Sequence, residues 1–194
     1  MVITKTPGVF ASHTFDPLEP QADMPPLASG ETAVCDSDFL ARASVRGQPR
    51  RNNATHATMT VTQVRVTLEL RVNIWLPGGA TQVLIDHEDG HRQIAEYYYQ
   101  TADKVAERIA KAYIGRRIEL AGTDLDAESS KALLQAANDI ADEYTKEINS
   151  NNTQLNYDAI TDHARNGVVA KDAVDQALRN AAVEATQPAA NLGN

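Results

Sequence analysis

Gln63-Val64-Arg65-Val66-Thr67-Leu68-Glu69-Leu70-Arg71-Val72-Asn73-Ile74 alternates polar with apolar side chains along its whole length. Successive side chains of a strand point to opposite faces, so this segment reads as a half-buried β-strand with its even-numbered residues inward. Pro77-Gly78-Gly79 then breaks the strand, and Thr81 is placed to cap a helix through its hydroxyl. Beyond it the apolar period changes from two to about 3.6 residues. Val83, Leu84, Ile94, Ala95, Tyr98, Val105, Ile109, Ala112 and Tyr113 recur at helical spacing, while Arg92, Gln93, Glu96, Lys104, Glu107, Arg108 and Lys111 fall largely on other faces. A helix running to about Arg117 would be roughly 50 Å long, with a kink or break allowed on the way.

Other elements follow the same logic. Phe39, Ala41, Ala43 and Val45 alternate weakly and pair with the long strand across the polar loop 47–56, which predicts an antiparallel hairpin. Gly122-Thr123-Asp124 separates the first helix from a second, striped by Leu133, Ala137, Ile140, Tyr144 and Ile148, and a last helix covers about residues 170–184. Pro7, Pro17, Pro20, Pro25 and Pro26 punctuate a stretch without periodicity. The expected organisation is an extended N-terminal arm over 1–30, a single domain over 31–186 and a tail over 187–194. The fold class is α+β: a small antiparallel sheet packed against long helices.

Within the first helix stands His87-Glu88-Asp89-Gly90-His91. Residues four apart lie one above the other on a helix, so His87 and His91 can offer imidazoles to one Zn²⁺ while Glu88 sits beside them as a non-ligand carboxylate. A catalytic zinc takes three protein ligands and keeps a position for water. Of the five histidines only His163 lies downstream, which makes it the first candidate for the third ligand, ahead of Asp158 and then of Glu143 or Glu147. Ile94 and Tyr97 occupy the places where the compact metzincin extension needs Gly and His, so that subclass is excluded. His13 and His56 are expected to sit in polar loops, solvated rather than ligating. Gly90 weakens the helix by about 1 kcal/mol relative to Ala, which suggests a close backbone approach by another segment.

The order of a β-rich segment, a Leu76-Pro77 turn, the motif helix, a second long helix and Tyr157-Asp158-Ala159-Ile160-Thr161-Asp162-His163 resembles the bacterial predicted secreted zinc-dependent proteases, over about residues 55–170. The resemblance implies a zincin-like fold, a peptidase-like zinc site, His163 as third ligand within a Tyr-Asp…Thr-x-His pattern, a peptide or protein substrate, and a periplasmic or secreted setting. The chain departs from the pattern at Ala164, where the family commonly has Gly, so the local turn differs.

On this reading Glu88 takes the proton of a zinc-bound water and passes it to the leaving amine, while Tyr157 or Arg165 donates to the oxyanion; for Tyr157 a packing role is an equal expectation. Tyr97-Tyr98-Tyr99 points in three directions on a helix and reads as core and boundary packing. The competing reading is a non-catalytic or degenerate zincin-fold protein whose metal site is closed by Asp158 or Asp162 as a fourth ligand.

With 194 residues, 42% hydrophobic content and a net charge of −8, the composition is that of an ordinary acidic domain. No clustered Lys/Arg stripe goes beyond a short pair such as Arg50-Arg51, which argues against nucleic acid or anionic membrane as the main partner. No apolar run reaches bilayer length, and Met1-Val2-Ile3-Thr4-Lys5 lacks the basic start and apolar stretch of a signal peptide, so the protein is either cytoplasmic or written without its leader. The lone Cys35 has no internal disulfide partner.

Overall fold

A computed structural model describes residues 1–28 and 30–186, so the tail expected over 187–194 lies outside the described residues. The elements run β1 (Val2–Lys5), β2 (Val9–Phe15), β3 (Val34–Arg51), β4 (His56–Pro77), α1 (Gln82–Gln100), α2 (Ala102–Tyr113), β5 (Arg117–Ala121), α3 (Leu125–Glu147), α4 (Asn151–Thr161) and α5 (Ala170–Thr186). The class is α+β, with all five strands in one sheet centred on β4. Val64, Val66, Leu68, Leu70 and Val72 are buried, as the alternation requires, but the phase shifts near both ends: Met59 and Val61 are buried before the run, and Trp75 after it.

The sheet is not purely antiparallel. β3 returns into β4 across a four-residue turn, a connection short enough only for an antiparallel pair, and β5 pairs antiparallel with residues 56–60. β1 and β2, however, run parallel to β4, at residues 65–68 and 71–77. The chain leaves β2, travels up β3 and comes back down β4, which restores the direction of β2. The stretch expected to be an extended arm thus contributes two strands, and β4, which pairs with every other strand, is not the sheet's edge.

The described residues divide into two compact units. The first comprises residues 1–8, 38–70 and 99–149. In it Ala57 and Met59 of β4, Leu120 of β5 and Leu125 of α3 form a buried cluster, and Asp124 caps α3 by accepting from the backbone N–H groups of Asp126 and Ala127. The expected single long helix is interrupted between α1 and α2 at Thr101. Lys5 donates to the Tyr99 and Gln100 carbonyls there, satisfying acceptors that a continuing helix would have used.

The second unit comprises residues 9–37, 71–98 and 150–194. Thr81 caps α1, its hydroxyl accepting from the Leu84 N–H. Ile94 of α1, Tyr157 of α4, and Ala173, Val174 and Ala177 of α5 form the buried cluster that holds the three helices together. Every residue of the site described next belongs to this unit.

Candidate metal centre

α1 crosses α4 at a glycine. A Cβ on Gly90 would lie 2.2 Å from the Tyr157 hydroxyl oxygen and 2.5 Å from its ring carbon Cζ, so no other residue fits beneath that ring as it stands. The close approach lets the Tyr157 hydroxyl donate to the His87 carbonyl at 3.0 Å and lets its ring stack on the His87 imidazole, with centroids 5.0 Å apart. Tyr157 is fully buried and its hydroxyl is committed. Of the two roles expected for it, the oxyanion donor is therefore replaced by packing and orientation.

Tyr157 brings its neighbour Asp158 onto the motif. Asp158 Oδ1 stands 2.9 Å from His91 Nε2 and 3.4 Å from His87 Nε2, and the two Nε2 atoms are 3.3 Å apart. Bonds of about 2.0–2.1 Å in a tetrahedron place ligand atoms about 3.3 Å from one another, which is the spacing of this trio. His91 Nδ1 lies 2.6 Å from Gln154 Oε1, which can only accept, so Nδ1 carries a proton and Nε2 is the nitrogen turned toward the trio. Gln154 in turn donates to the His91 carbonyl at 3.1 Å, holding the ring from two directions. Asp158 Oδ1 is buried and lacks a well-directed hydrogen bond despite the nearby imidazoles. Three electron-pair donors converging in one place, the carboxylate oxygen among them without a hydrogen-bond partner, are suited to a shared cation, and these residues are the group among the described ones that could hold a metal ion.

His163 lies in the same cleft but outside that compact group. Its Nδ1 is 3.7 Å from Asp158 Oδ1, and its side chain is 37% exposed. The third place expected for His163 is thus taken geometrically by Asp158, the next candidate. Asp162, His163 and Ala164 all have positive φ, at 46°, 49° and 67°, a run of left-handed conformations that L-residues resist. Ala164 sits where glycine would relieve that strain. The remaining candidates lie elsewhere: Glu143 accepts from the Tyr113 hydroxyl, Glu147 pairs with Arg108, and Asp162 pairs with Arg165. His13 is in β2 rather than a loop, stacked on Trp75 with centroids 4.1 Å apart. His56 is exposed.

Electrostatics distinguish the two kinds of carboxylate. Glu88, 4% exposed, is pushed up to about 7, first by burial and then by the charges of Asp158 and Glu31, with His91 opposing. Asp158 also feels a burial penalty, but the adjacent His87 and His91 imidazoles outweigh it and hold its carboxyl below the usual range. Burial lowers the affinity of His91 for a proton, yet Asp158 overcomes this and the net shift is upward. Asp89 is held low by Arg92 and belongs to a surface network with Arg92 and Gln93 rather than to the cleft.

The far wall of the cleft is the segment 30–37 leading into β3, including Cys35, whose thiol burial and the neighbouring Glu88 and Asp36 push up. Apart from Cys35, noted only for its lack of a disulfide partner, neither that wall nor Gln154 was among the residues singled out in the sequence. Gln154 had a signal, standing one helical turn before Asp158, whereas the wall had none. Compared with protein-family models, curated proteins and solved structures, the chain matches none of them.

Proposed function

We propose that the chain is a zinc-dependent hydrolase, a zincin-like metallopeptidase in which His87, His91 and Asp158 hold the metal and Glu88 is the general base. The observation that carries this reading is the buried trio of Nε2, Nε2 and Oδ1 atoms, 2.9–3.4 Å apart, beside a non-ligand carboxylate pushed up to about 7. Bound there, zinc supplies a Lewis acid and lowers the pKa of a bound water toward about 7. Glu88 accepts the water's proton and delivers it to the leaving amine. His163, partly exposed in the same cleft, is the N–H donor for the developing oxyanion.

The substrate is an extended peptide or protein segment. β4 has no free edge to offer it, but β3 pairs with β4 alone among the described residues, and its first residues line the cleft opposite the motif. The periplasmic or secreted setting rests on the resemblance of residues 55–170 alone.

Glu88→Gln keeps the shape and removes the base. Zinc content and thermal stability stay nearly unchanged while hydrolysis of a peptide library falls by a factor on the order of 10² or more. His91→Ala instead loses the metal. An established activity that survives Glu88→Gln, or zinc lost with Glu88, overturns the hydrolase. The second reading, a closed structural site, then takes its place, favoured by the 3.7 Å between His163 Nδ1 and Asp158 Oδ1, which would let His163 join as a fourth ligand.

A further inference from the structure

The basic residues of this acidic chain are not spread evenly. Several cations are held in ion pairs: Lys5 with Asp103, Arg51 with Asp126, Arg92 with Asp89, Arg108 with Glu147, Lys111 with Glu107, Arg165 with Asp162 and Lys171 with Asp175. Arg42, Arg46 and Arg50 of β3, Arg65 of β4 and Arg117 of β5 are all exposed and make no ion pair or side-chain hydrogen bond among the described residues.

Their positions put them on one face within the first unit. A Cβ on Gly47 would meet the Met59 sulfur at 2.4 Å, so the odd-numbered side of β3 turns inward and the even-numbered arginines turn out. Thr62 Oγ1 donates to the Arg46 carbonyl, fixing β3 beside β4 at that point. Val64 and Val66 point into the core, which leaves Arg65 outside. On β5, Leu120 is buried opposite Ala57, and Arg117, opposite Thr60, is therefore outward. Hydroxyl and amide donors fill the intervals, at Ser44, Gln48, Thr62 and Thr67, all exposed. The carboxylates of these strands on that side are Asp38 and Glu69 toward one end and Glu119, which accepts from Thr58, near the other. In sequence the pattern is hidden, because four-residue spacing makes a stripe on a strand only once the register of its neighbours is known.

We propose that this outward face of β3, β4 and β5 binds an anionic polysaccharide. Arg42 and Arg46 are about 13 Å apart along the strand, too far to share one small anion, so the ligand carries its charges at intervals along a chain. Guanidinium groups pair bidentately with carboxylate or sulfate, and the interleaved hydroxyls bond sugar oxygens. The exposed aromatics, Phe10 and Tyr97, belong to other elements, so the face lacks the stacking platforms of a single-stranded nucleic-acid binder. The face is built from strands, with no helix to enter a duplex groove, and β3, β4 and β5 expose no large apolar side chain to a bilayer.

Heparin, a sulfated uronate polymer, is the probe, titrated onto the full chain at salt from about 50 to 200 mM. A net charge of −8 opposes any general attraction, so binding reports the local face. The expected affinity falls with a log–log salt slope of about −3, equivalent to roughly four neutralised anions. Arg42→Ser/Arg46→Ser/Arg65→Ser should weaken binding tenfold or more at the lowest salt and flatten the slope by about 2, with an unchanged melting temperature, while Arg179→Ser binds as the parent does. No binding by the parent chain, equal binding by the triple variant, or tighter binding of duplex DNA or phosphatidylserine vesicles than of heparin overturns the proposal.

Discussion

Replacing Gly90 by Ala should damage the metal centre without touching any ligand. Helix propensity alone favours the change by about 1 kcal/mol, because Gly is among the worst residues in a helix interior. Against this, the new methyl group would stand 2.2 Å from the Tyr157 hydroxyl and 2.5 Å from Cζ, with Tyr157 fully buried and unable to swing into solvent. Overpacking of that kind costs about 1–3 kcal/mol, and losing the buried bond from the Tyr157 hydroxyl to the His87 carbonyl adds about 1–3 kcal/mol. The net is a loss of roughly 1–5 kcal/mol, or about 3–15 °C in melting temperature for a chain of this size. Because Asp158 follows Tyr157 on α4, displacing the ring moves a ligand, and zinc affinity falls with stability. Thermal unfolding with and without zinc, together with a competitive zinc titration, measures both. A variant that is about 1 kcal/mol more stable than the parent, with unchanged zinc affinity, would show that propensity decides and that the crossing does not build the site.

Ala164→Gly relieves a residue held at φ 67° and should stabilise the protein by about 0.5–1 kcal/mol after the extra freedom of glycine in the unfolded chain is subtracted, seen as a rise in denaturation midpoint; a fall would place the strain elsewhere. Gln154→Leu removes the acceptor that fixes His91 Nδ1 and should cost 10- to 100-fold in zinc affinity with little change in fold, read by chelator competition. In the metal-free protein His91, raised above its ordinary value of about 6.5, contributes stability fully below that pH and loses it as pH rises through the higher folded value; Asp158, lowered, contributes above about 4 and loses it as pH falls. Zinc must displace the proton on His91, so the melting-temperature increment on adding zinc should grow with pH through and above 6.5, and an increment flat between about pH 5.5 and 8 would contradict the assignment.

How much of this was legible depended on whether the cause was local. The alternation at residues 64–72 and the Thr81 cap are short-range signals, and both elements formed where those residues stand. Gly90 announced a close approach because nothing else excuses glycine inside a helix, although only the fold identifies Tyr157 as the approaching group. β1 and β2 were missed because short segments among prolines carry no period, and their parallel pairing depends on β3 lying between them and β4 in the chain. Asp158 was ranked below His163 because His163 is the one histidine downstream of the motif. The positive φ run at 162–164, which turns the chain at His163 while Asp158 stays on the helix, cannot be seen in composition or spacing.

X-ray absorption at the zinc edge of the metal-loaded protein tests the centre most directly, because imidazole rings scatter in a way that allows them to be counted. The account predicts one zinc per chain with two imidazoles, from His87 and His91, a carboxylate oxygen from Asp158, and a remaining position held by solvent. Three imidazoles with no solvent ligand would put His163 on the metal and close the site, and a protein that binds no stoichiometric zinc would remove the centre altogether.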